Sequence, residues 1–132
     1  MAISTITAEF NCEAERVWNI VTSLSEYEWR SDLNRIEVLS ENKFVEYSKN
    51  GFATTFTITA NERCKRWEFD LDNPNIFGHW TGVFTEKDGK TTIEFTENIT
   101  AKKLFMKPFV KSFLKKQQAR YIEDLKKALG GI

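Results

Sequence analysis

The chain has one histidine and two cysteines in 132 residues, and no net charge, because nineteen basic side chains balance nineteen acidic ones. Each scarcity closes off a class of function. The lone histidine, His79, has no further ligands close by for a zinc site and no nucleophile and orienting acid for a catalytic triad. Cys12 and Cys64 are far apart, match no metal-ligand spacing and form no CxxC redox pair. With no secretory leader at the start, they are expected to be free thiols in a reducing cytoplasm. A balanced charge, with no block of one sign ahead of the C-terminal quarter, gives no nucleic-acid footprint. No apolar run approaches the length of a membrane span. Linkers, repeats and low-complexity stretches are missing too, so residues 1–132 read as a single domain.

Aromatic residues are plentiful. Eleven Phe, four Trp and three Tyr exceed what an ordinary core of this size needs. They make either a core of large side chains or a cavity lined by rings, and composition alone does not separate the two. Their spacing says more. Ile3 to Phe10 alternates and predicts a first strand. A helix follows, with Glu13 and Glu15 in its first turn and Val17, Trp18, Val21 and Leu24 on its apolar face. Ser25 is placed to cap a second short helix through about Arg30.

Strands come next. Ile36 and Val38 flank Glu37 in a brief alternation. Phe44 to Lys49 and Phe52 to Ala60 flank Asn50-Gly51, a hairpin signal. A two-residue turn there pairs Val45 with Phe56 and Tyr47 with Thr54. It sends Val45, Tyr47, Phe56 and Ile58 to one face and Thr55, Thr57 and Thr59 to the other. Trp67, Phe69 and Leu71 alternate with acids in a further strand, broken by Asn73-Pro74-Asn75. A second hairpin turns at Asp88-Gly89 and pairs Phe84 with Ile93, Gly82 with Phe95, and Trp80 with Glu97. The final quarter carries Leu104, Phe105, Phe109, Phe113, Tyr121, Leu125 and Leu129 at helical spacing over about seven turns. Pro108 lies inside that stripe, so the continuous helix is expected to begin near Lys107, after a break that could form a lip or gate. A long helix laid on a curved sheet leaves a hollow, and the sequence therefore suggests a container.

This order, with the phrases NCEAERVWNIVTSLSEYEWRSDL, GHWTGVF and KKLFMKPFVKSFLKKQQARYIEDLKKAL, resembles the START-like, or Bet v 1-like, superfamily (SRPBCC), in its bacterial polyketide cyclase/dehydrase and lipid-transport branch. The resemblance spans the whole chain. It implies an α+β helix-grip fold: a bent antiparallel sheet of six to seven strands wrapped around a long C-terminal helix, with two short helices after the first strand. It also implies a cavity for hydrophobic ligands. No catalytic residue is shared across the branch and none is carried over. Cys12-Glu13 departs from the small residue and proline of many relatives and touches only the helix start.

Three functions follow as expectations. The first is a binding protein, without cofactor or metal, for a small hydrophobic or amphipathic molecule. Its wall would comprise Trp29, Val45, Tyr47, Phe56, Ile58, Trp67 and Phe69. Trp80, Phe84, Phe95, Glu97, Phe109, Phe113 and Tyr121 would complete it. The second is an enzyme of the cyclase or dehydratase type with Glu97 and Tyr47 as an acid/base pair, since a carboxyl among aromatics has its pKa raised. Glu97 at a wet sheet rim remains open as well. The third is a protein-interaction module whose cavity is filled by side chains and whose surface carries an apolar patch instead. Arg30, Arg63 and Arg66 could hold an anionic headgroup or make ordinary surface pairs. The lysine-rich side of the last helix allows at most transient contact with a membrane surface. The chain is expected to be a monomer or weak homodimer that binds no nucleic acid.

Overall fold

The structure, a computed structural model, describes residues 1–130. Its strands are β1 (Ala2–Phe10), β2 (Leu33–Ser40), β3 (Lys43–Ser48), β4 (Ala53–Glu62), β5 (Arg66–Asp72), β6 (Ile76–Lys87) and β7 (Lys90–Ala101). They form one antiparallel sheet in the order β1-β7-β6-β5-β4-β3-β2. Helix α1 (Ala14–Val21) follows β1, and α2 (Val110–Ala128) ends the described chain. A 3-10 stretch over Leu104–Phe109, with Pro108 inside it, leads into α2. The break expected near Lys107 is therefore present. Residues 22–32 form turns where a second short helix was predicted.

Helix α1 owes its start to a distant acid. Glu13 supplies no side-chain cap. Instead the Ala14 amide donates to the Glu86 carboxylate of β6 at 2.7 Å, a negative charge at the positive end of the helix. The buried Trp18 points its indole edge-on to Trp67 and Phe84, with ring centres 6.0 and 5.0 Å apart. Helix α2 lies over β1 and β7. The face it buries carries Val110, Leu114, Gln118, Ile122 and Leu125, with Leu129 closing the end. Tyr121, Leu125 and Leu129 thus turn inward as the stripe predicts, but Phe109 and Phe113 lie one step round the helix and are 68% and 56% exposed.

The second hairpin has the predicted register: Phe84 pairs with Ile93, Gly82 with Phe95 and Trp80 with Glu97. Its turn residues Asp88 (φ 53°) and Gly89 (φ 74°) both adopt the left-handed conformation that a two-residue turn demands. The first hairpin departs by one residue. Phe44 pairs with Phe56 and Val45 with Thr55. Here only Gly51 takes positive φ (82°), and the Gly51 amide bonds the Ser48 carbonyl at 2.8 Å, so the loop holds three residues. The Ser48 hydroxyl fixes this form by accepting from the Phe52 amide at 3.1 Å and donating to the Asn50 side chain. A one-residue slip swaps faces. Phe44 and Glu46 turn to the concave side; Val45 and Tyr47 turn to the convex side, contrary to the sequence expectation.

On the concave side Phe44 stacks on Phe56 at 5.0 Å and 8°. Val45 is also buried, but it stands outside the main core cluster that contains Phe44. Phe44→Ala is therefore expected to cost about 3–5 kcal/mol of unfolding free energy. Val45→Ala should cost about 1 kcal/mol. Urea denaturation of both variants checks this, and the reverse ranking would restore the two-residue turn.

Candidate functional site

The sheet lays its rings end to end across the concave face. Phe44, Phe56, Phe69, Trp80 and Phe95 follow one another at centre-to-centre distances of 5.0, 4.9, 4.8 and 4.5 Å. Phe95 then meets Tyr121 of α2 at 5.3 Å, and Tyr121 meets Trp29 of the 22–32 turns at 5.2 Å. Gly82 makes the middle of this belt possible. A β-carbon there would stand 2.7 Å from the Trp80 ring, so the indole lies over the space that glycine leaves. Trp67 and Phe84 serve the far end, under Trp18, and Ile58 packs at the edge of the core.

The belt ends on a half-buried polar cluster. Arg30 follows Trp29, and its guanidinium sits 5.3 Å from the Tyr121 ring. It binds two carboxylates, each through two contacts: Asp32 at 3.2 and 3.2 Å, and Glu46 at 3.3 and 3.2 Å. Burial alone would favour loss of the Arg30 proton, but Glu46 and Asp32 outweigh it and the charge is kept. Burial likewise opposes ionisation of Asp32, and Arg30 more than offsets it, so that carboxyl stays below its ordinary value. The neighbouring Ser31 amide and hydroxyl both donate to Asp124 of α2 at 2.8 Å. Residues 30–32 are thereby fastened to the helix and to β3 together.

Glu97 stands beside this cluster on β7, opposite Ser4 of β1. It is 9% exposed. Ser4 and Gln118 bond each other twice, the Ser4 hydroxyl donating to Gln118 Oε1 at 2.8 Å and Gln118 Nε2 donating to the Ser4 carbonyl at 2.9 Å. Burial pushes the Glu97 carboxyl up to about 7, against the opposing pull of Arg30 and the Gln118 amide. Tyr121 is raised as well, chiefly by burial, and keeps its phenolic proton. Burial thus favours the protonated form of both groups.

Other predicted site residues lie elsewhere. Tyr47 is on the convex face, under the Arg35 guanidinium (3.8 Å from the ring centre), with its hydroxyl 3.4 Å from the Glu37 carboxylate. It cannot pair with Glu97. Val45 shares that convex face, and Phe109 and Phe113 are solvent-exposed. His79 also points outward, held by Asp70 and Glu68 at 2.7 Å each. Burial lowers its proton affinity, but these two bonds prevail and raise it. Arg63 pairs with Glu15 and Arg66 with Glu68 at the surface. Cys12 and Cys64 are free thiols. Among the described residues no helix is long and apolar enough to cross a membrane, and no cluster of metal-ligating side chains forms.

Along the concave face the rings touch one another from Phe44 to Phe95. Of two cavities outlined by the described residues, neither is lined by Glu97. One is about 30 Å³ and touches Met1, Ala2, Ile99, Ala101, Lys107 and Val110. The other is an open groove of about 360 Å³ between α1, the 22–32 turns and the end of α2. Asn19, Ile20, Ser23, Glu26, Glu28, Trp29 and Ala128 line it. Trp29 is the one ring that belongs to both groove and belt.

Comparison with solved structures places this architecture among known ones. A conserved protein from Geobacillus kaustophilus superposes with a TM-score of 0.84 at 12% identity, covering 98% of this chain and 95% of that one. A START superfamily protein from Mycobacterium smegmatis gives 0.78 at 15% identity, over 98% and 94%. DynU16, a protein from the dynemicin biosynthetic locus, gives 0.76 at 11% identity, covering 97% of this chain and 47% of its own. These likenesses establish the helix-grip fold. No curated protein matches the sequence. Residues 1–130 match the family described as polyketide cyclase / dehydrase and lipid transport, and the chain belongs to that family.

Proposed function

We propose that the protein captures a small hydrophobic or amphipathic molecule of lipid or polyketide type, and that the concave face with its rings in mutual contact is its closed state. One observation carries the reading. The open groove ends on Trp29, the outermost ring of the belt, and the half-buried Arg30 cluster lies at that same end. Displacing Trp29 and Tyr121 joins groove, ring wall and Glu97 into one pocket. The apolar body of a ligand would then replace ring-to-ring contacts, gaining about 25 cal/mol per Å² removed from water before association costs. The polar end has a defined chemistry. Arg30 is committed to two carboxylates, so an anionic headgroup finds no free cation. A neutral donor such as a hydroxyl suits Glu97 and avoids an unpaired buried charge.

Binding of this kind needs no catalysis. Chemistry of the cyclase type would require Glu97 with Tyr121 in the place of Tyr47, and the same opening at Trp29. The exposed apolar surface on the 3-10 stretch and the start of α2 favours a second reading, a protein-interaction module.

A pyrene-labelled fatty alcohol separates these readings. Wild-type protein and the convex-face variant Thr57→Asp are expected to take it up equally, and Phe56→Asp to lose it. Trp29→Ala, which leaves the sheet untouched, should change the affinity about tenfold. Absence of uptake by the wild type, or equal uptake by all variants, would reject capture and leave the interaction module. Native mass spectrometry of protein purified from its own host then shows which molecule accompanies it.

Glu97 yields a second expectation, from its pKa. The group titrates near 7 when folded against an ordinary value of 4.5, so the folded state holds a proton that the unfolded chain has released between those limits. Its contribution is most favourable below pH 4.5 and is lost as pH rises toward 7, by on the order of 3 kcal/mol. Glu97→Gln should abolish that decline in urea denaturation at pH 5 and pH 8. A pH dependence equal to the wild type's would show that Glu97 is solvated.

A further inference from the structure

Four large apolar side chains stand in water where the sheet gives way to the last helix. Leu104, Phe105, Phe109 and Phe113 are 78%, 73%, 68% and 56% exposed. Neither the core nor the polar cluster uses them. Met1, 81% exposed, lies beside Lys107 and Val110 and extends the same surface. From the end of the 3-10 stretch into α2, Phe109, Phe113, Lys116 and Arg120 succeed one another at helical spacing, while the buried Val110, Leu114 and Gln118 face the sheet. A contiguous apolar surface of this kind marks a contact site.

The charge around it is of one sign. Lys102, Lys103, Lys107, Lys111, Lys115 and Lys116 accompany the apolar group, and no acid occurs between Glu97 and Glu123. Among the described residues only Lys102 of this set is engaged in a salt bridge, with Asp72 at 2.6 Å. A second copy of the chain would bring the same cations to the same surface and be repelled. An anionic bilayer offers the complement to both features. Phenyl rings lodge at the boundary between headgroups and acyl chains, and each nearby lysine adds attraction to the negative leaflet. We infer that the segment from Leu104 to Phe113 docks the protein on an anionic lipid surface, its rings at the acyl boundary and its lysines against lipid phosphates. The contact is superficial and reversible, because a few side chains enter and no helix spans. It stands independently of ligand capture, which concerns the opposite end of α2 at Ala128 and Trp29.

Co-sedimentation of the full chain with vesicles tests this. Vesicles of phosphatidylcholine with about a quarter phosphatidylserine are expected to bind at least about tenfold better than phosphatidylcholine alone. Added salt should weaken the binding, since it screens exposed charge. The double variants Phe109→Ser/Phe113→Ser and Lys103→Glu/Lys107→Glu should each lower it about tenfold. Their melting temperatures should not change, because those side chains are solvated. Lys126→Glu/Lys127→Glu, at the far end of α2, should retain it. Binding that ignores lipid charge, or falls equally in the far-end variant, overturns the proposal. So does a complete lack of vesicle binding, or a dimer in sedimentation velocity that Phe109→Ser/Phe113→Ser dissolves. Uptake of the soluble pyrene alcohol is read without vesicles, so failure of docking and failure of capture remain distinguishable.

Discussion

A guanidinium largely withdrawn from water must bring its counter-charges with it, and the Trp29 end of the ring belt is arranged around that requirement. Arg30 is surrounded by Asp32 from its own turn and Glu46 from β3, while Asp124 of α2 holds Ser31 between them. Three segments distant in sequence are bound at one point. Removing either carboxylate would leave the half-buried Arg30 charge with one partner in place of two. Trp29, the adjoining residue, is held beside it and meets Tyr121 edge to face. The charge cluster and the junction of groove and ring belt therefore lie at one place.

Much of the architecture was legible in the sequence, and the exceptions share a cause. The second hairpin was readable because Asp88 and Gly89 alone determine its turn. The first was not, because a side chain outside the Asn50-Gly51 pair, the Ser48 hydroxyl, selects the longer loop. That slip concealed the polar cluster. With Phe44 turned inward, Glu46 must turn inward too, and a carboxylate on an apolar wall demands a cation. Arg30, sixteen residues earlier, looked like an ordinary charged residue in a turn. The pairing of Glu97 with Trp80 was legible, but its neighbours Ser4 and Gln118 were not, since they come from opposite ends of the chain. On α2 the bulk of Phe109 and Phe113 outweighed the smaller Val110 and Leu114, which in fact face the sheet. Helical spacing defines a direction only to within one residue, and the 3-10 stretch before α2 resets the phase.

The molecule thus carries two apolar regions with opposite treatment. One is the ring belt, whose members satisfy each other edge to face and stack on a curved sheet, and which glycine at position 82 allows to lie flat. The other, at the approach to α2, is left to solvent and surrounded by lysine. The first adjoins a cluster with carboxylates in excess, the second is flanked by cations. That division of charge is invisible in the overall composition, where the two signs cancel.

The two hydrogen bonds between Ser4 and Gln118 join positions 114 residues apart. The first strand therefore meets its ladder partner β7 and its covering helix α2 only late in the sequence. During synthesis, β1 can find β7 only after β2 to β6 have emerged, and until then the aromatic wall stands uncovered. Topologies that defer their longest loop closure fold slowly and expose sticky intermediates meanwhile. For this protein the hazardous interval runs from the emergence of β6 to the docking of α2, when the rings are in place and their cover is not.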